Sequence, residues 1–165
     1  MLERFYPDYQ YSDITQIKDE FFIEHNIKYV ILDIDNTLVP YTVAKPSDTA
    51  LAFIRRLQKL GIQISLVSNN GKERVQIFNR ELKLYTRHFA LKPATHGLRA
   101  ALRKMGAKPE ETAVIGDQVF TDIYGGNRLG ATTILVEPLE LKENRFFRFK
   151  RRMEQKVLER MRRIK

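Results

Sequence analysis

Short apolar runs alternating with amphipathic stretches predict an α/β fold: a five-stranded parallel sheet with helices on both faces, followed by a basic C-terminal helix. Three observations carry this. Apolar runs of strand length recur near 29–34, 62–67, 88–91, 112–115 and 132–136, each closed by turn residues. Helical signals fill the gaps, as the crossovers of a parallel sheet require. Polar residues follow the runs in one positional sense, and open α/β sheets place their ligands outside the carboxyl ends of the strands.

The elements follow in order. Residues 1–27 have no clear period but carry Phe5, Tyr6, Tyr9, Tyr11, Phe21 and Phe22. They read as an N-terminal aromatic arm with one short helix near 15–25, packed on the domain by its rings. The core domain spans 28–140 and opens with a strand over 28–34. Pro40 and Pro46 bracket a loop, Ser47 suits a helix N-cap and Asp48 the first turn, and that helix stops at Gly61. The second strand, 62–67, turns at Ser68-Asn69-Asn70-Gly71 into a helix over 72–83. His88–Leu91 is the third strand, and the helix after Thr95 ends near Gly106. Thr112–Ile115 is the fourth strand, closed by Gly116-Asp117; a short helix over 121–129 leads through Gly130 to the fifth, Thr132–Val136.

Residues 141–165 are the basic helix. Phe146, Phe149, Met153, Val157, Met161 and Ile164 recur at steps of three and four, one stripe of an α-helix, with the arginines mostly off it. Residues 142–165 hold 11 Lys and Arg against 3 Glu, so nearly all of the net charge of +9 belongs to this tail and the rest of the chain is almost neutral. Such asymmetry points to an acidic partner. A basic helix with an aromatic stripe suits an anionic membrane surface; docking on its own domain or on a second copy is the other reading, and nucleic acid ranks behind both, since no RNA-binding signature accompanies it.

The composition bounds the rest. With 165 residues, 43% hydrophobic and 30% charged, the chain has the make-up of a soluble globular domain. Zero cysteine excludes disulfides, thiolate metal sites and a thiol nucleophile, and fits a reducing cytoplasm. Glu3, Asp8 and Asp13 interrupt any secretory signal, and no apolar stretch nears the roughly 18 residues of a membrane span.

The chemistry concentrates at the strand ends. Asp33 and Asp35 close the first strand; at i and i+2 they point the same way, and two half-buried like charges need compensation. Ser68 and Asn69 follow the second strand, Lys92 the third, and Asp117 the fourth, with Asp122 five residues on. At one sheet edge, three carboxylates, a lysine, a serine and exposed N–H groups can hold Mg²⁺ and a phosphate together. Mg²⁺ favours a few carboxylates plus substrate oxygens, N–H groups at a helix start take phosphate, and Lys92 adds positive charge.

These residues resemble the haloacid dehalogenase (HAD) superfamily. The Asp-x-Asp-x-Thr motif matches Asp33-Ile34-Asp35-Asn36-Thr37, the second-motif serine Ser68, the third-motif lysine Lys92, and the Gly-Asp with a following Asp matches Gly116-Asp117 and Asp122. The resemblance covers about 28–136 and implies a Rossmann-like sheet and an aspartyl-phosphate mechanism. In it Asp33 is the nucleophile and Asp35 the general acid and then base. Ser68, Asn69 and Lys92 bind the substrate phosphate. Mg²⁺ is held by Asp33, the Asp35 backbone carbonyl and Asp117, with Asp122 a ligand or an orienter of the metal shell. Only about ten residues separate Thr37 from the next helix, leaving no room for a cap domain, so the site is expected to be open, as in subclass III. The chain is similar to the YqeG-type branch, itself similar to mitochondrial phosphatidylglycerophosphate phosphatases, through Ile31–Leu38, Ser68-Asn69-Asn70 and Gly116–Asp122. It departs at Ile34, where those lipid phosphatases often carry Lys. The resemblance implies a phosphomonoester substrate, with phosphatidylglycerophosphate among the candidates; a non-catalytic module that binds RNA or ribosomes through its tail is the rival reading.

Overall fold

A computed structural model of the chain describes residues 2–141 and 145–163, and the backbone of 164. Six strands, all parallel, form one sheet: β1 (Tyr9–Tyr11), β2 (Tyr29–Leu32), β3 (Gln63–Val67), β4 (Tyr85–Arg87), β5 (Thr112–Gly116) and β6 (Thr132–Val136), in the spatial order β1-β6-β5-β2-β3-β4. The α/β, parallel-sheet expectation holds, with one strand more than the five expected. The extra strand is β1, from the aromatic arm, which extends the sheet by pairing Tyr9–Tyr11 with Ile134–Val136. Its three residues are too short for a periodic signal, and only the edge offered by β6 makes them a strand.

Residue alternation along each strand sorts the core into two layers. Val30, Leu32, Ile64, Leu66, Ala113 and Ile115 face α1 (Asp19–Glu24), α2 (Asp48–Lys59) and α3 (Lys72–Asn79). Ile31, Val67 and Val114 face α4 (His96–Met105) and α5 (Tyr124–Leu129) through Leu98, Ala101, Leu102 and Leu129. Helices therefore cover both faces. Ser47 caps α2 as expected, its hydroxyl accepting from the Ala50 N–H at 3.2 Å. Gly106 ends α4 in the left-handed region at φ 64°.

Three boundaries move. The third strand is Tyr85–Arg87 rather than His88–Leu91, because Phe89 and Leu91 take φ of 43° and 54°, which no strand tolerates. Residues 88–90 run instead along the turn after β3: the Phe89 N–H donates to Asn70 O and the Ala90 N–H to Ser68 O. The helix expected over 72–83 stops at Asn79, whose side-chain amide binds both N–H and C=O of Leu84 at 2.9 and 2.8 Å and closes a turn. The short helix over 121–129 begins earlier, as a π-helical turn Val119–Ile123 continuing into α5.

The tail is α6, Arg145–Ile164. It docks on its own domain, but on a face rotated from the expected stripe. Val157 and Leu158 pack against Val119, Ile123 and Leu135, Met161 is buried, and so is Glu154, which accepts from the Phe120 N–H at 3.2 Å. Phe146 and Phe149 remain 67% and 62% exposed, and Met153 is exposed too; the side chain of Ile164 lies outside the described residues. The stripe therefore splits, because the domain presents a polar strand end to the first half of the helix and an apolar one to the second.

Candidate active site

The chain winds outward in both directions from β2. It reaches β3 and β4 on one side, then crosses to β5 and β6 on the other, so the crevice at the carboxyl ends of β2 and β5 is the switch point where ligands bind. Asp33 leaves β2 there and Asp117 leaves β5. Asp33, Asp117 and Asp122 are all buried, and each offers a carboxylate oxygen within 4.8 Å of the others. Asp122 comes from the π-helical turn and is brought back beneath β5, where its Oδ2 accepts from the Gln118 N–H at 3.1 Å. Gly116 makes that approach possible: a Cβ there would lie 2.3 Å from Asp122 Cγ. The Gly-Asp pair is thus a packing requirement, and not only a strand exit.

Lys92 comes in from the β4–α4 loop and compensates the carboxylates. Its ammonium lies 2.8 Å from Asp33 Oδ1, 2.7 Å from Asp122 Oδ1 and 2.7 Å from Val67 O. The contact to Asp122 is ionic without hydrogen-bond geometry, since Asp122 Oδ1 accepts no hydrogen bond. Lys92 thereby braces the carboxylates, with two of its three donors spent on Asp33 and Val67 O. Asn69 does the same at one remove. Its Oδ1 accepts from the Lys92 N–H at 2.7 Å and its Nδ2 donates to Lys92 O at 3.0 Å, clamping the main chain just before the cis Lys92–Pro93 bond. The Asn69 side chain, expected on substrate, is therefore spent on Lys92. Ser68 is buried, its hydroxyl accepting from the Asn70 N–H at 3.0 Å, which shapes the turn at the crevice. Thr37 lies between Asp33 Oδ2 and Asp117 Oδ1, at 3.4 and 3.3 Å.

Asp35 points elsewhere. Its Oδ1 accepts from Arg74 Nε and Nη2 at 3.1 and 2.9 Å, and its Oδ2 from Asn70 Nδ2 at 3.2 Å. Its carboxylate is not one of the clustered three, so any metal contact by Asp35 falls to its backbone carbonyl. Arg74 also donates to Val43 O and Ala44 O at 2.7 and 2.6 Å, tying the loop after β2 to α3. Asn36, at φ 63°, turns the chain just after Asp35, its N–H donating to Val39 O, a conformation Asn tolerates better than most residues.

Two arginines were not anticipated. Arg74 stands in the first turn of α3, where nothing in the sequence separates it from a solvated surface residue. Arg151 is one of many basic residues in the tail, yet its guanidinium pairs with Asp117 Oδ2, donates to Asp117 O at 2.5 Å and contacts Glu154 at 3.1 Å. The one available signal was Glu154 itself, an acid near the middle of a basic helix. The site expected to be open is consequently flanked on one side by α6, although among the described residues no cap domain interrupts the sheet.

Burial dominates the electrostatics. It pushes Asp33 up to about 8 despite the pull of Lys92, with Asp122 and Asp117 adding repulsion. It pushes Asp117 up to about 6 against the pull of Arg151. Burial alone would lower Lys92, but Asp122 and Asp33 outweigh it and hold the ammonium charged. Three buried carboxylates facing one ammonium and one guanidinium have charge left to neutralise. With oxygen-only donors, they fit a hard divalent cation.

A family model described as HAD-hydrolase-like matches residues 90–138. The chain is 36% identical to the probable phosphatase YqeG of Bacillus subtilis, over 99% of this chain and 95% of that one. It is 31% identical to the chloroplastic/mitochondrial phosphatidylglycerophosphate phosphatase 1 of Arabidopsis thaliana, over 93% of this chain but 47% of that protein. Among solved structures, the cobalt-bound deoxy-D-mannose-octulosonate 8-phosphate phosphatase of Haemophilus influenzae superposes with a TM-score of 0.53 at 19% identity, covering 82% of this chain and 89% of that one. A putative 3-deoxy-D-manno-octulosonate 8-phosphate phosphatase from Vibrio cholerae gives 0.58 at 15% identity, covering 76% and 75%. At these identities the structural neighbours speak for the fold alone.

Proposed function

The chain belongs to the HAD superfamily of phosphatases, and from that premise we propose that it is a Mg²⁺-dependent phosphomonoester hydrolase acting through an aspartyl-phosphate on Asp33. The observation that carries this is the convergence of Asp33, Asp117 and Asp122 at the switch point, with Lys92 bridging two of them. Asp33, Asp117 and the Asp35 carbonyl would hold the cation, with Asp122 a fourth ligand or a support of the shell. Bound there, Mg²⁺ supplies charge that offsets the carboxylates and polarises the phosphate.

Asp33 attacks phosphorus, and the bond to the leaving oxygen breaks as Asp35 gives that oxygen its proton. Water then attacks the phosphoaspartate, losing a proton to Asp35; the phosphorus–Asp33 bond breaks and inorganic phosphate leaves. Arg74 and Asn70 hold the Asp35 carboxylate apart from the three clustered aspartates, so that it is left to serve the leaving group. The Ser68 hydroxyl, which accepts from the Asn70 N–H, keeps its own proton to donate to a phosphate oxygen. Hydrolysis of an aryl phosphate with and without Mg²⁺, against an Asp33→Asn control, tests this; full activity in excess EDTA sinks the metal assignment.

For the substrate we favour a phospholipid phosphomonoester of the phosphatidylglycerophosphate type, supported by the Arabidopsis relative. Among the described residues no helix is long and apolar enough to cross a membrane. In this reading the enzyme meets such a lipid peripherally, from the cytoplasm, with Phe146, Phe149 and Met153, which are exposed on α6, turned toward an anionic surface. A screen of phospholipid and soluble phosphomonoesters decides between substrate classes. The phosphatase relatives and the complete set of active-site residues disfavour the rival RNA- or ribosome-binding module.

A further inference from the structure

Six of the ten large hydrophobic side chains exposed among the described residues sit on three loops: Tyr41 and Val43 after β2, Phe89 and Leu91 after β4, Leu139 and Leu141 after β6. Because the strands are parallel, all three loops leave the same edge of the sheet, the one that carries the crevice. Singly exposed hydrophobics need no explanation; a set gathered on one functional edge does.

The loops are also tied to the site and to one another. Arg74, which holds Asp35, donates to Val43 O. Phe89 N–H donates to Asn70 O, and the Phe89 ring lies against Gly71, 3.3 Å from where a Cβ would stand. Leu139 N–H donates to Asn36 O, and Thr42 Oγ1 donates to Glu140 Oε2 at 3.0 Å. The apolar side chains thus project from loops whose backbones are bonded to the active-site turns. Phe89 and Leu91 are the most telling. Both are bulky residues at positive φ, 43° and 54°, and their side chains are nonetheless 60% and 64% exposed. Strained backbone that turns apolar side chains into water is unfavourable twice over, unless something apolar receives them.

The charge beside this edge is positive. A cavity of about 600 Å³ runs between the loops and α6, lined by Asn36, Gln118, Leu141 and one carboxylate, Glu140, and by three arginines, Arg148, Arg151 and Arg152. Arg151 is engaged by Asp117 and Glu154, whereas Arg148 and Arg152 have no acidic partner among the described residues. We propose that the carboxyl edge of the sheet is a membrane-docking face, with the six loop residues entering the apolar boundary of an anionic bilayer and Arg148 and Arg152 meeting its phosphate headgroups. Such a face brings the crevice onto the lipid surface, and unpartnered arginines select an anionic one. The choice of occupant rests on the lipid reading proposed above; the geometry of the face does not.

Cosedimentation of the full-length protein with phosphatidylglycerol vesicles, against phosphatidylcholine vesicles, tests it without reference to turnover. Wild type is expected to bind the anionic vesicles at least tenfold more strongly at low salt. Phe89→Glu/Leu91→Glu and, separately, Leu139→Glu/Leu141→Glu should each lower that binding at least tenfold, with thermal unfolding checking that the variants stay folded. Arg148→Gln/Arg152→Gln should erase the preference for anionic over neutral vesicles. Loop variants that bind like wild type would overturn the proposal and leave attachment to α6. Failure of the wild type to bind would overturn it too, as would a dimer in sedimentation that the loop substitutions dissociate, since a second copy then covers the edge. Aryl phosphate turnover reports on the phosphatase mechanism, so loss of either reading is seen separately.

Discussion

Asp33 and Asp35 leave the same strand two residues apart, yet the fold gives them opposite surroundings. Asp33 is buried beside two other carboxylates and an ammonium, in the space that suits a cation. Asp35 is turned out of that cluster and gripped by a guanidinium and an amide at the mouth of the crevice. Two chemically identical groups thereby receive different environments, and in the mechanism proposed above different tasks: one attacks phosphorus beside a metal, the other exchanges protons with a leaving group and with water. On a strand their i, i+2 spacing would place them alike, but β2 ends at Leu32, and past it Asp35 is held by Arg74 and Asn70 while Asp33 is held by Lys92.

The sharpest way to break the contrast is Asp33→Asn. It removes the nucleophile while keeping the shape, so turnover should fall to background with the fold intact. One buried carboxylate fewer should leave the metal-free protein at least as stable. A variant retaining a tenth of wild-type activity would show that Asp33 is not the nucleophile.

Asp35→Asn should cost roughly 10²–10⁴ in rate, the usual range of general acid–base catalysis. The loss should be smaller for p-nitrophenyl phosphate than for an alkyl phosphate, because a good leaving group needs less protonation. Equal losses on both substrates would remove the distinction between the two aspartates.

Arg74→Met should slow turnover by roughly 10–100-fold, through displacement of Asp35 rather than lost chemistry, since small misplacements of a reacting group carry costs of that order. Metal affinity should fall less than turnover, because Arg74 touches the Asp35 carboxylate, whereas the proposed metal ligand is the Asp35 backbone carbonyl. A matching loss of metal affinity would mean that the two sites are not separable.

The smallest effect concerns pH. In the metal-free protein, burial raises Asp33 to about 8 and Asp117 to about 6, both above the 3.8 of an ordinary aspartate. Between these limits the folded state binds more protons than the unfolded state. Stability should therefore decline as pH rises from about 4 toward 8, the reverse of an ion-paired surface carboxylate. A cation must displace those protons, so Mg²⁺ affinity should rise over pH 6–8, by at most about tenfold per unit for each proton released. Calorimetric titration in buffers of different ionisation enthalpy measures the release; affinity independent of pH would place the cation away from Asp33 and Asp117.

Much of this centre was legible in the linear chain. Asp33, Ser68 and Asp117 directly follow β2, β3 and β5, and in a parallel sheet every such end lies on one edge, so strand periodicity and turn residues sufficed to place them there; Lys92 and Asp122 reach the same edge from the loop after β4 and the turn after β5. The four longer strands, β2, β3, β5 and β6, and the Ser47-capped helix were readable because their signals are local, whereas β4, three residues long like β1, was expected at 88–91 and lies at Tyr85–Arg87. Arg74 and Arg151 were not readable, because an arginine that braces a carboxylate has the same sequence surroundings as one in solvent. Asn69 was assigned to substrate for a related reason: its clamp on Lys92 joins residues 23 apart, through a turn that no periodicity describes.

The strip Tyr9–Tyr11 and the tail mark the division most clearly. Residue types and their order along the chain determined an α/β sheet, its carboxylate-rich edge and an amphipathic basic helix at the C-terminus. Only the tertiary structure decided that the arm supplies a sixth strand, that Gly116 yields its Cβ space to Asp122, and that α6 rotates to set Arg151 on Asp117 while Phe146 and Phe149 stay outside. The reason is physical: periodicity says which residues share a face, but what that face meets depends on surfaces assembled from distant parts of the chain.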